Sequence, residues 1–179
     1  MTLKNNAKWI VFLMPLVLFG GFAGAQKYEV ERRVDVKEFP KSAIEYLQQT
    51  FPEKKKVKYF KETSQQGDSY EAKFQWEGQR YSVEFGPEGK LQDVEREVRY
   101  RGLPKAIRRK METQWEEDFR KHRVDRTQEQ TVGDRVRYEI IVRGKDTKGV
   151  NYFEYLFEED GILVDRQQII LPPNDIILY

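Results

Sequence analysis

The chain of 179 residues carries 32 lysines and arginines against 30 aspartates and glutamates, one histidine and no cysteine. Without a thiol it forms no disulfide, holds no thiolate-bound metal and has no cysteine for a lipid anchor. The charge balance argues against a nucleic-acid partner: neutralising a phosphate backbone takes a clustered cationic surplus, and the runs Lys54-Lys55-Lys56 and Arg108-Arg109-Lys110 are answered by Glu53, Glu112, Glu116 and Glu117.

In chain order, Lys4 and Lys8 precede the apolar run Trp9–Phe19, and Ala23-Gly24-Ala25 has the small-x-small pattern of a signal-peptidase site. This predicts a signal peptide over 1–25, with cleavage near Ala25 and a periplasmic or secreted product. The run is short for a span, so membrane contact is expected only if the leader stays uncleaved. Removing Lys4 and Lys8 leaves 30 basic against 30 acidic residues.

After a short extended lead from Tyr28 to Lys37, Phe39-Pro40-Lys41 opens a helix expected over Pro40–Thr50 and closed by Phe51-Pro52. Leu103-Pro104-Lys105 opens another, expected over Pro104–Asp118. At that shift of 64, Ala43, Leu47 and Phe51 fall on Ile107, Met111 and Trp115, one apolar stripe in each helix. Each helix is followed by a strand pattern. In the first unit these are Val57–Thr63, the alternation Tyr70, Ala72, Phe74 and Trp76, the alternation Tyr81, Val83 and Phe85, and Leu91–Val98.

The second unit repeats the order with Val124–Gln130, then Val136, Tyr138, Ile140 and Val142, then Phe153, Tyr155 and Phe157, then Ile162–Leu171. Tyr70 to Tyr138 is a shift of 68 and Phe85 to Phe157 one of 72, which predicts four-residue insertions in turns. Gly89 and Gly161 are expected at left-handed turn positions. The expected organisation is 26–99 as a first unit with its lead, 100–171 as a second, and 172–179 as a tail. The fold class is α+β: two tandem repeats, each a helix on a four-stranded antiparallel meander. Units of about 70 residues have small cores, so the two are expected to pack on each other and unfold together.

With the helix opener, the aromatic strands Tyr70–Phe74, Tyr138–Val142, Tyr81–Phe85 and Phe153–Phe157, and the acidic-glycine turn before each last strand, the chain resembles the PepSY-like, beta-lactamase-inhibitor-like (BLIP-like) family of secreted bacterial proteins. The resemblance implies a helix on one face of an antiparallel sheet, the other face free to meet a protein, and a binding or inhibitory module rather than an enzyme. The chain departs from the true inhibitors in lacking cysteines, and no inhibitor contact residue maps onto it, so a lactamase target is not carried over.

No catalytic, cofactor or metal residue is assigned. His122 lies between Lys121 and Arg123 with no nucleophile motif, a surface or helix-end placement. Ser42 falls in a helix first turn, and Ser64 and Ser69 flank a turn. Glu116-Glu117-Asp118 and Glu158-Glu159-Asp160-Gly161 lack the alternating ligand spacing of a calcium loop.

The informative signal is on the strand faces turned away from the core. There the first unit has Lys73, Gln75, Arg80, Ser82 and Glu84, and the second has Ile141, Arg143, Tyr152, Glu154 and Leu156. Three polar positions have become apolar or aromatic, which marks these five as a contact patch for a protein or peptide partner of unknown identity. Either a partner covers the patch or the chain does, with the tail Ile176-Ile177-Leu178-Tyr179 as a lid. The alternative function is a carrier or sensor of a small apolar ligand between helix and sheet, which requires a cavity of several hundred Å3, on the order of an ordinary ligand pocket. A hydrolase would need an acid/base pair converging near His122.

Overall fold

The computed structural model describes residues 30–64, 67–145, 147 and 149–169. The expected leader, its cleavage point, Gln65-Gln66 and the C-terminal tail with its lid residues lie outside the described residues.

The elements are β1 (Val30–Val34), α1 (Lys41–Thr50), β2 (Lys55–Ser64), β3 (Gly67–Trp76), β4 (Gln79–Phe85), β5 (Leu91–Glu97), α2 (Lys105–Asp118), β6 (Lys121–Val132), β7 (Arg135–Lys145), β8 (Val150–Glu158) and β9 (Leu163–Ile169). The chain is α+β: the described residues form two α-helices and one antiparallel sheet of nine strands in sequence order. Both helices start where the sequence puts them. Pro40 and Pro104 are N-caps, with φ of −57° and −53°. Their carbonyls accept the first helical bonds, from the N–H of Ile44 at 3.1 Å and of Arg108 at 3.0 Å. Both helices also end on an aromatic C-cap, Phe51 and Phe119.

The sheet departs from the expected pair of four-stranded meanders. β5 pairs with β6, Val94 opposite Thr131 through Glu97 opposite Gln128, so the nine described strands belong to one sheet. The lead strand β1 joins it beside β2. The physical reason is edge satisfaction: a separate meander exposes unpaired backbone on both outer strands, and joining the two removes one edge from each. The halves therefore meet edge to edge through backbone, not through a shared core.

Two apolar clusters sit under the two helices. Ala43 and Leu47 of α1, with Phe39 and Phe51, pack on Ala72, Phe74, Val83 and Phe85. Met111 and Trp115 of α2, with Leu103 and Phe119, pack on Tyr138, Ile140, Val142, Phe153, Tyr155 and Phe157. Cross-strand partners share a face, and Val83 lies opposite Val94, Val94 opposite Thr131, and Thr131 opposite Val136. The two helices therefore occupy the same face of the sheet.

One expected turn insertion falls elsewhere: α2 has 14 residues and α1 has 10, so the first four-residue offset is an added helical turn. At 3.6 residues per turn this returns the closing aromatic to the same side, which is why the packing survives it. Strand β6 begins at Lys121, so His122 is a strand residue rather than a helix-end one. The expectation for Gly89 and Gly161 holds, with φ of 78° and 83°.

Gly144 shows how closely the second core is filled. A Cβ there would lie 2.4 Å from Cδ1 of Phe119, whose ring rests on the strand backbone. Gly144→Ala is expected to destabilise the fold by about 1–3 kcal/mol through overpacking, read as a lowered Tm by circular dichroism.

Candidate functional site

With both helices on one side, the opposite face of the sheet presents the side chains that alternate with the core. In β7 and β8 these are Ile141 opposite Glu154, Arg143 opposite Tyr152, and Glu139 opposite Leu156. The five residues expected as a patch are therefore contiguous. They are not equally available. Ile141 is only 3% exposed, so it does not act as an exposed anchor. Its cross-strand neighbours are Arg126 and Glu154. Tyr152, Glu154 and Leu156 are half-buried, and Gln167 Nε2 donates to Glu154 Oε1 at 2.7 Å. Arg143 Nε lies 3.7 Å from Asp125 Oδ2. Beside these residues is a depression of about 160 Å3 lined by Gln130, Glu139, Glu154, Leu156, Asp165 and Gln167.

Toward the middle of the sheet the same face becomes acidic. Glu71 lies opposite Glu84, Glu84 opposite Asp93, and Glu95 stands between Ser82 and Gln130. Ladder irregularities at Lys55/Lys58, Glu84/Phe85, Val124/Arg126 and Leu156/Phe157 bend the strands. Side chains here crowd enough that Ser82 is 8% and Gln128 7% exposed.

The carboxyls respond differently to this crowding. Burial alone would push Glu71 up, but Lys73 Nζ at 2.8 Å and the Ser82 hydroxyl hold it below the usual carboxylate value. Lys73, also 3.0 Å from Glu31, is raised in spite of burial because Glu71 and Glu31 favour its charge. Asp93 is pushed up to about 7, first by burial and then by Glu84, Glu139 and Glu71. Glu95 is pushed up to about 8 by burial, Asp93 and Glu71, with Arg126 opposing.

The acidic strip was missed by sequence reasoning, which treated Glu84 as an ordinary outward residue and assigned Glu71 no role. The alternation Asp93, Glu95, Glu97 was a signal, but only register shows that it abuts the acids of β3 and β4.

For a cation, the carboxylate oxygens of Glu31, Glu62 and Glu71 lie within 4.8 Å of one another, and the Lys73 ammonium already contacts Glu31 and Glu71. The other acidic stretches are bonded within the fold. Asp118 Oδ2 accepts from the Tyr155 hydroxyl at 2.6 Å and lies 3.2 Å from Arg166 Nε. Asp160 Oδ1 accepts from the N–H of Ile162 at 3.0 Å. The His122 ring packs 5.5 Å from that of Trp115, on the helix side. Between the helices and the sheet, rings meet at centroid distances such as 4.8 Å for Phe39 and Tyr59 and 5.0 Å for Phe119 and Phe153, so these layers are filled.

No family model matches the chain. No curated protein matches it either. Solved structures do. A BLIP-like protein from Bacteroides fragilis is 19% identical with a TM-score of 0.54, over 76% of this chain and 91% of its own. A proposed periplasmic protein from Bacteroides eggerthii is 16% identical with a TM-score of 0.58, over 72% of this chain and 88% of its own. A DUF2874-family protein from Bacteroides ovatus is 16% identical with a TM-score of 0.57, over 78% of this chain and 97% of its own. At these identities the likeness is one of architecture, and the chain has a BLIP-like α+β fold.

Proposed function

We propose that the protein is a periplasmic, non-enzymatic module that docks a protein or peptide on the helix-free face of its sheet, possessing two tandem helix-plus-meander units and a leader removed near Ala25. The observation that carries this reading is the placement of both helices on one face, which leaves Arg143, Tyr152, Glu154 and Leu156 contiguous on the other. An antiparallel sheet with one face packed and one exposed has a ready contact surface, and half-buried Tyr152 and Leu156 ringed by charge resemble the anchors of an interface. The structural likeness to a proposed periplasmic protein supports the compartment. An inhibitory role is one form of this binding.

Tyr152→Ser with Leu156→Ser is expected to keep the native circular dichroism spectrum, since both side chains face away from the core. Loss of about 2 kcal/mol at such anchors weakens binding at least tenfold, so capture of a partner from the cell-envelope fraction should disappear. Undiminished capture by the folded variant would remove this face as the docking surface.

A further inference from the structure

Helix α2 carries its charges against its own dipole. The backbone gives a helix positive potential at its start and negative potential at its end, so acids are favoured early and bases late. In α2 the order is reversed: Lys105, Arg108, Arg109 and Lys110 lie in its first half, and Glu116, Glu117 and Asp118 close it. Lys105 and Arg109 add like-charge repulsion four residues apart. From Arg99 to Met111 there are six basic residues and no acidic one, so nothing within that stretch offsets them.

The fold does not bring the missing acids to Lys105 and Arg109. Glu112, which the sequence sets against these cations, accepts from the Tyr100 hydroxyl at 3.0 Å, and Glu116 and Glu117 lie in the last turn. Lys110 Nζ is 3.5 Å from Asp160 Oδ2. Among the described residues, Lys105 and Arg109 stand in no ion pair. Both are exposed and, with Ala106, Lys110 and Thr113, they line an open depression of about 430 Å3 on the outer side of the helix.

An apolar feature adjoins these cations. The turn between β8 and β9 rests on α2: a Cβ on Gly161 would lie 3.2 Å from Ile107 Cγ2 and 3.4 Å from Lys110 Cδ. The next residue, Ile162, is 57% exposed, and Val164 in β9 is 42% exposed. Cations beside bare aliphatic groups suit a lipid interface, where phosphates meet the charge and the layer beneath them takes the apolar side chain.

We propose that the first half of α2 and the β8–β9 turn form a docking surface for an anionic phospholipid bilayer. Lys105, Arg109 and Lys110 donate to lipid phosphates, and Ile162 enters the headgroup layer. The attraction is one of charge complementarity. An acidic protein or a nucleic acid would use the cations and leave Ile162 bare. Contact is peripheral, since no helix among the described residues is long and apolar enough to cross a membrane. It is made by the folded chain, independently of the expected leader. Because both helices lie on one side of the sheet, a chain held in this way turns its helix-free face to solvent, whether or not that face binds a partner.

The test is flotation of the chain from Gln26 with vesicles of phosphatidylcholine alone or mixed with phosphatidylglycerol, at low and high salt. The mixed vesicles should carry the protein at low salt and release it at high salt, and the neutral ones should not carry it. Lys105→Glu with Arg109→Glu should lower partitioning at least tenfold. That variant should keep its Tm or raise it, since its acids sit where the helix dipole favours them. Ile162→Ser should weaken partitioning with the charge unaltered. Lys55 and Lys58 are exposed opposite Gln75 and Lys73 on the helix-free face, and Lys55→Glu with Lys58→Glu should leave partitioning unchanged. No binding to mixed vesicles, equal binding to neutral ones, an unchanged Ile162→Ser variant, or equal losses in the two double variants overturns the proposal. Polyglutamate captured through Lys105 and Arg109 while vesicles are ignored would also overturn it, giving the surface to an acidic protein.

Discussion

Trp115→Ala is expected to lower the free energy of unfolding by about 3–5 kcal/mol, a large fraction of the stability of an ordinary domain. Trp115 is fully buried, with ring centroids 5.5 Å from Tyr100, 5.5 Å from His122, 6.1 Å from Tyr155 and 6.2 Å from Phe157. Removing the indole opens a cavity on the side of α2 that faces the sheet, and rings fixed on strands have little freedom to close it. The consequence reaches further than the second core. Because β5 and β6 share a backbone ladder, with Arg96 Nη2 2.7 Å from Glu129 Oε1 across it, melting the second half strips an edge from the first.

Trp76 is half-buried against the first core, with Phe51 at 5.3 Å, and remains as a fluorescent reporter in the variant. Its emission and the far-ultraviolet circular dichroism should shift together to lower denaturant. A Trp76 transition left at its original midpoint, while half of the ellipticity is lost early, would show that the two halves unfold independently.

The second large effect is on pH dependence. A carboxyl whose folded pKa is raised binds more protons in the native state than in the unfolded one, so its contribution weakens as pH rises. For Asp93 and Glu95 the window runs from their ordinary values of 3.8 and 4.5 up to about 7 and about 8. Stability should fall through that interval and level off above it. Glu71 has the opposite sign: its folded value is depressed, so its contribution is present at neutral pH and is lost in acid as pH falls through that value.

Asp93→Asn with Glu95→Gln keeps the shape of both side chains and removes the charge. It is expected to flatten the decline and to gain about 1–3 kcal/mol at pH 8.5, allowing for coupling between the two acids. Urea denaturation at pH 5.5 and pH 8.5 measures this. Equal midpoint losses for the parent and the variant between those pH values would show that these acids do not govern the decline.

Several elements were legible because their causes are local. A proline pre-set for helix entry, an apolar stripe at helical spacing and an aromatic before or at the closing residue place α1 and α2 nearly to the residue. Alternation places Tyr70, Ala72 and Phe74, and again Tyr138, Ile140 and Val142, on the core side. The polar strand β6 was less legible at its ends. Its helix side carries Thr127, Glu129 and Thr131 near the β5–β6 seam, so apolar alternation gives no sharp boundary there.

The candidate site was legible in part. Counting alternate residues correctly put Ile141, Arg143, Tyr152, Glu154 and Leu156 on one side of the sheet. It gave no access to the burial of Ile141, 3% exposed, which depends on what packs around it in space. Nor did it reveal that Asp93 and Glu95 would share space with Glu71 and Glu84.

From its sequence alone this protein determined its helix starts, its strand faces and its two sets of core residues, because steric restriction at proline and the periods of helix and strand act within a few residues. Tertiary structure decided that the strands would close into one sheet and that carboxyls distant along the chain would crowd at its centre. Backbone hydrogen bonding selects a strand's partner by available edges, and electrostatic repulsion depends on distance in space; neither quantity is encoded in any short stretch of the chain.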